Sequence, residues 1–424
     1  MTESESNLIP DDVKHIKFND LIHRELLDFD RELHCSITSS KNNLFVCLSC
    51  GKAFSGGSDS SPIIQHFFDE MHPLALRLHD NTMMTLPDYN KILYLPGTED
   101  ILFTSRPKYT AETIQKMHEK MKNSIPIGPG SYELNSLVKS SARLSVIRFL
   151  SCIEPLRDFL LLNEFISPFS AAFSEFFKHF FNPFNFKKSV SPDKLIHILP
   201  DTDDPFLFIS IILNTLSKEF GKKNVLEKSV RGSLYLKEAL LDSKTRNENN
   251  DEEIEWVSSR KKIWLIPLEI NDSPLYRSGL EKEKIIASTT LLELLKRYDG
   301  ETIIDSPAGQ GRVRKAMMML GSAPKYLILN TNRIKKNEFN WEKNNMHIIL
   351  QTHPLDFSKY GADAKYSLLA MISNDGPVES GEYLVYFRNK DANVWLKCTM
   401  DGVTEVLGDM AILSQCCYIL FEKC

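Results

Sequence analysis

Cys47 and Cys50 stand two residues apart, and His66 and His72 follow six apart within the next 22 positions. Cysteine thiolates and neutral imidazoles are the ligand set zinc prefers over calcium or magnesium. Four protein ligands would close a tetrahedron and leave no position for water or substrate, so the chemistry expected here is one structural zinc ion. The Cys47–Cys50 pair reads as a zinc knuckle in which Gly51 lets the backbone turn under the metal. Ser55-Gly56-Gly57-Ser58 makes a loop, and Pro62 opens a short helix. That helix carries His66, with Phe67 and Phe68 to pack beneath and His72 closing the site at its end. Cys35 and His79 are near enough to replace one ligand and rank second.

These residues need a scaffold, and the flanking pattern supplies one. Residues 1–13 are polar and acidic, without apolar periodicity, and read as a disordered tail. Residues 14–108 form a small α/β zinc module, in which Leu74, Leu76 and Leu78 alternate like a half-buried strand and Ile92–Leu95 make another before Pro96-Gly97. A helix over 109–122, with Thr110 as its cap, joins the module to a second domain that runs to residue 424. Helical periodicity continues through Leu144, Ile147, Leu150 and Ile153, through the phenylalanine-rich 165–181, and over 194–199 and 205–220. The phenylalanine stripe reads as core. Residues 243–254 (SKTRNENNDEEI) are a solvent-exposed insertion. Strand-like runs then dominate: 263–268, 326–330, 366–372, 382–388, 394–398 and 417–421. Helices first and sheet afterwards give an α+β order.

Composition narrows the function. The 424 residues carry 51 basic and 56 acidic side chains, a net −5. No global field draws such a chain to nucleic acid, although a local patch is compatible with it. Lys187-Lys188 and Arg260-Lys261-Lys262 are the basic clusters, and both read as solvated surface. Eight cysteines without regular pairing, and no cleavable leader after Met1, point to a reducing compartment, cytosol or nucleus. The longest apolar run, 206–213, is far too short to span a bilayer.

The Cys47–His72 stretch resembles the zinc-finger module found beside ubiquitin-specific proteases, and the second domain resembles the papain-like protease fold itself. The likeness rests on Pro324–Leu329 with Asn332-Arg333-Ile334, on Tyr366–Ala370, on Gly381-Glu382-Tyr383, and on Val394-Trp395-Leu396 before Val403. Pro155–Leu160, Phe181–Phe186 leading into Val190-Ser191-Pro192, and Asn374–Pro377 with Ser380-Gly381 are similar to the family's splicing branch, proteins associated with the spliceosomal tri-snRNP.

The resemblance implies a cysteine nucleophile at a helix start, a histidine base and an orienting acid or amide. The corresponding positions here hold Ser141, Glu382 and Thr399, with the oxyanion-hole residue near Lys139. A carboxylate of ordinary pKa, about 4.3, is too weak a base to activate a serine. Cys152, among Leu150, Ile153 and Leu156, reads as a buried and silent thiol. His347 and His353 are the only histidines of the sheet-rich half, and neither falls in the family's histidine position. The second zinc of many family members, held by two CxxC pairs, has no counterpart between Leu156 and Tyr326. The first module also lacks an obvious match to the arginine and aromatic set that grips a free ubiquitin tail. The expectation is a non-catalytic nuclear scaffold that assembles or stabilises the tri-snRNP through spliceosomal proteins. The alternatives are a deubiquitinating hydrolase using Ser141 or Cys152, and a non-catalytic ubiquitin receptor.

Overall fold

A computed structural model describes the chain except residues 1–17, 139, 201–204, 243–254, 271–286, 308–311, 337–340, 352, 362 and 379–380. The tail over 1–13, the insertion over 243–254 and Lys139 therefore lie outside the described residues.

The first module is an antiparallel sheet in the order β2-β1-β3-β4-β5, built from β1 (Leu44–Cys47), β2 (Ala53–Ser55), β3 (Leu74–Arg77), β4 (Thr82–Thr85) and β5 (Asn90–Ile92). Helix α1 (Pro62–Glu70) packs on one face, and α2 (Glu99–Ser105) follows the sheet. The Leu74–Leu78 alternation is not half-buried. Leu74 and Leu76 fill a core with Leu27, Val46 and Ile101, while Ala75 between them meets Ile63 and Ile64 of α1, so both faces of β3 are covered. The strand expected over Ile92–Leu95 ends at Ile92, where the ladder to β4 stops at the Met83–Ile92 pair. Leu93 and Tyr94 are consequently exposed.

Thr110 caps α3 (Ala111–Asn123) through its side chain, which accepts from Thr113 N. A short parallel pair, β6 (Glu133–Leu134) and β7 (Ser189–Val190), brackets α4 (Ser141–Ser151), α5 (Glu154–Leu162) and α6 (Pro168–Phe180). The helix expected over 194–199 is the single turn α7 (Asp193–Ile196), and α8 (Pro205–Phe220) and α9 (Val225–Ser229) complete the helical part. The phenylalanine stripe is core: Phe173, Phe177 and Phe180 are fully buried, and Phe176 stacks on Phe180 at 5.3 Å.

The sheet-rich part runs β8 (Gly232–Asp242), β9 (Val257–Ile263), β10 (Leu265–Pro267), β11 (Ser288–Thr290), α10 (Leu291–Leu295), β12 (Ile304–Pro307), β13 (Arg312–Ser322), β14 (Tyr326–Asn330), β15 (Ile334–Lys336), β16 (Trp341–Lys343), β17 (His347–Ile349), β18 (Leu355–Asp356), β19 (Lys365–Asp375), β20 (Glu382–Asn389), β21 (Val394–Cys398), β22 (Val403–Val406), α11 (Gly408–Ile412) and β23 (Cys416–Lys423). The main sheet is ordered β10-β14-β23-β19-β20-β21-β22, with β18 on β19. Tyr326 and Ile328 of β14 face the helices, and Leu327 and Leu329 face a second core with Leu294, Tyr298 and Phe357. A continuous apolar run is what a strand buried on both faces requires. A separate sheet, β12-β13-β8-β9, adds Leu234 and Leu320 to the second core, and neither of its long strands, β8 and β13, is foreseen in the strand pattern above.

The Phe181–Phe186 run is the seat of the first module. Asn182 Nδ2 donates to Thr104 Oγ1 at 2.9 Å, Phe184 lies edge-on to Phe103, and Phe186 packs against the module's core. Lys187 is not solvated surface. Its ammonium bridges Asp28 at 2.9 Å and Asp30 at 2.5 Å, and Asp30 also accepts from Ser191 N. Burial pushes the Asp28 carboxyl up. Asp30, although its own burial opposes this, is held down by the hydrogen bond with Asp28 and by Lys187. A carboxylate with a depressed folded pKa stabilises above its unfolded value near 3.8 and loses that contribution as pH falls through the lower folded one. Asp30→Ala is expected to cost about 3 kcal/mol at pH 7, because it leaves a mostly buried ammonium poorly paired. Urea unfolding checks this, and the difference from the parent should shrink once the pH is below that value.

Candidate metal centre and the Ser141 cleft

The knuckle between β1 and β2 needs Gly51. Its φ is +72°, and a Cβ there would lie 2.0 Å from Leu26 O. Cys47 ends β1 fully buried, and Cys50 sits in the turn after it. Ser61 precedes α1 with Pro62 in the first turn, which sets His66 on the face toward the knuckle. His72 closes the site just past the end of the helix: α1 ends at Glu70, Met71 takes a left-handed cap (φ 54°), and His72 follows. Phe54 of β2, rather than Phe68, supports the imidazole, stacking on His66 at 4.3 Å, while Phe68 is 65% exposed.

The ligand atoms of Cys47, Cys50, His66 and His72 all lie within 4.8 Å of one another. Cys50 Sγ is 3.4 Å from His66 Nε2, and His72 Nδ1 is 3.2 Å from the same nitrogen. Zinc bonds of 2.0–2.3 Å in a tetrahedron place neighbouring ligand atoms about 3.3–3.8 Å apart, so the four could hold such an ion. The thiol of Cys50 is drawn down to about 4, first by its hydrogen bond with Cys47, whose own thiol is pushed up by the same contact. A metal would take both as thiolates. His79 is exposed in the turn after β3, and Cys35 is occupied in a turn where its sulfur accepts from Thr38 N at 3.4 Å. Neither joins the cluster.

The second constellation lies where α4 meets the main sheet. Ser141 opens α4, capped by Ser140. Its Oγ accepts the Tyr383 N–H at 3.0 Å, and Ser145, one turn on, donates to Tyr383 O at 2.9 Å. The two serines thus fasten β20 to the helix. Glu382 Oε1 accepts from Met400 N at 2.6 Å, and Thr399 Oγ1 accepts from Asp401 N at 3.2 Å. Ser141 and Thr399 line one cleft of about 20 Å³ with Leu144, Tyr383, Cys398 and Met400. That is room for about one water. No histidine lines it among the described residues.

Cys398 is the cleft residue that sequence reasoning misses. It is buried, burial pushes its thiol up, and no base adjoins it in the cleft. Cys152 lies at the carboxyl end of α4, where the helix dipole disfavours a thiolate, and burial pushes it up to about 12. His347 pairs with Ser288 in a separate two-stranded sheet, and His353 is exposed in a loop. No helix among the described residues is long and apolar enough to cross a membrane.

Residues 35–94 match the family described as "Zn-finger in ubiquitin-hydrolases and other protein", and residues 132–421 match "Ubiquitin carboxyl-terminal hydrolase". The chain is 27% identical to mouse "Ubiquitin carboxyl-terminal hydrolase 39" over 95% of its length and 79% of the relative. It is 24% identical to "Pre-mRNA-splicing factor SAD1" of Saccharomyces cerevisiae over 99% and 98%. Its fold superimposes on "Crystal structure of an essential yeast splicing factor" with a TM-score of 0.76 at 21% identity, covering 96% of this chain and 100% of that one. With a helix opening against the Tyr383 strand and a zinc-finger sequence ahead of it, the chain belongs to the ubiquitin carboxyl-terminal hydrolase family.

Proposed function

We propose that this protein is a non-catalytic member of its family that works as a scaffold in pre-mRNA splicing, assembling or stabilising the tri-snRNP in the nucleus. The observation that carries the reading is the Ser141 cleft: the hydroxyl at the nucleophile's position accepts a backbone N–H, and its neighbours there include no histidine. A serine without an aligned base is a poor nucleophile. The similarity to a splicing factor over almost the whole of both chains supports the same reading. In it, residues 14–108 form the zinc finger and 109–424 the inactive peptidase domain, with Cys47, Cys50, His66 and His72 holding one structural zinc.

Ser141→Cys supplies the missing thiol but no base. The variant is expected to release no fluorophore from a ubiquitin tail conjugate above the parent's background. Turnover abolished by a thiol alkylating agent would contradict the non-catalytic assignment. The scaffold role is tested by affinity capture of the tagged protein from nuclear extract. Recovery of tri-snRNP RNAs and proteins is the expected result, and recovery of ubiquitin conjugates alone would reverse it.

A further inference from the structure

The sheet β12-β13-β8-β9 carries seven lysines and arginines against three acids in its strands, a surplus of four in a chain whose total is −5. Three of those four surplus charges fall on one face. Strand register places Lys262 beside Ser233, Arg260 beside Tyr235, Lys237 beside Met317 and Lys315 beside Ala239. Residues paired in this way share a face, so Lys262, Arg260, Lys237 and Lys315 form one diagonal row. Each step is two residues along a strand or one strand across and two along, about 7–8 Å. Asp305, opposite Lys315, is the acid on this face within the four strands.

Alongside the row lies an aromatic platform. The Arg260 guanidinium is held over the Tyr235 ring at 5.3 Å and pinned by its bond to Ser233 Oγ at 3.0 Å. Tyr235 is 43% exposed, and all of edge strand β9 except Ile263 is exposed. Lys262 keeps 70% of its side chain in solvent even with Glu227 at 3.5 Å.

We infer that this face binds single-stranded RNA, with the diagonal cations on successive phosphates and Tyr235 stacking a base. Regular cation spacing suits a phosphate backbone, and an exposed tyrosine braced by an arginine on a sheet suits an unpaired base. An acidic peptide would need the charge but not the ring. The choice of RNA over other single strands rests on the proposed splicing role. Binding is read on the purified full-length chain, so its failure leaves the capture from nuclear extract to stand or fall separately.

The experiment is fluorescence polarisation with a labelled 12-residue oligouridylate across 50–200 mM salt, conditions in which four phosphate contacts give a log–log slope of about −3. The parent chain should show that slope. Lys237→Glu with Lys262→Glu should weaken binding at least tenfold, and Tyr235→Ala about tenfold. Lys261→Glu, on the same strand but the opposite face, should change it less than twofold. The inference is overturned if the parent does not bind in the lowest salt. It is equally overturned if Lys261→Glu weakens binding as much as Lys262→Glu alone does, or if polyglutamate competes as well as RNA while Tyr235→Ala has no effect. The last outcome would assign the face to an acidic protein segment. All four substitutions are at exposed positions, and circular dichroism confirms their folding.

Discussion

Cys50→Ala is expected to yield a chain without bound zinc whose residues 35–94 are open to protease while the second domain stays folded. The first module is small, and its apolar content divides into two thin clusters on either side of one five-stranded sheet. Cores of that size rarely hold without a staple. Structural zinc supplies about 10–16 kcal/mol of folding free energy in comparable modules, more than such a sheet has to spare. Loss of one ligand also leaves Cys47 and His66 buried beside an unfilled site. Metal analysis should fall from about one zinc per chain to about none. Cys35→Ala and His79→Ala should leave the metal in place, because neither residue reaches the cluster. Full zinc content and an intact module in Cys50→Ala would mean that other residues bind the ion.

Arg333→Met is expected to destabilise the second domain by about 3–5 kcal/mol. Arg333 is 1% exposed, yet the partners that hold its guanidinium are backbone carbonyls rather than a carboxylate. Its guanidinium instead donates to Cys416 O at 3.1 Å, Asn344 O at 2.5 Å and Met346 O at 2.7 Å. These carbonyls come from the start of β23 and the segment between β16 and β17, so one side chain ties strands distant in sequence. Methionine keeps much of the volume but leaves the three acceptors without that donor. Urea unfolding of the two chains measures the difference. A loss below about 1 kcal/mol would show that water replaces the guanidinium at little cost.

The pieces of this molecule that could be read in advance are those whose determinants are close in sequence. Two Cys and His pairs at short spacing gather into one cluster, a threonine caps α3 and a phenylalanine stripe at helical period packs as core, each from a local rule. β8 and β13 obey a rule that needs a partner some eighty residues away. Their charged outer face hides the alternation of Leu234, Leu236, Met318 and Leu320, and only the ladder between them makes both strands. The same holds for the Asp30–Lys187 clamp and for Ser141, whose hydroxyl is spent on a strand 242 residues further on. His72 sits just past the end of the helix because Met71 adopts a left-handed cap, a conformation that methionine does not announce. Lys187 illustrates the converse error, since a lysine pair in an isolated sequence looks like surface until its acidic partners are in place.

The central claim is a role in splicing that requires the fold and no bond cleavage. It is tested most directly by depleting the protein from nuclear extract and restoring splicing of a reporter transcript with recombinant chains. Parent protein and Ser141→Ala, which keeps the helix and lacks the hydroxyl, are expected to restore splicing equally. Cys50→Ala should restore less. Rescue by the parent but not by a folded Ser141→Ala would contradict the claim and return Ser141 to chemistry.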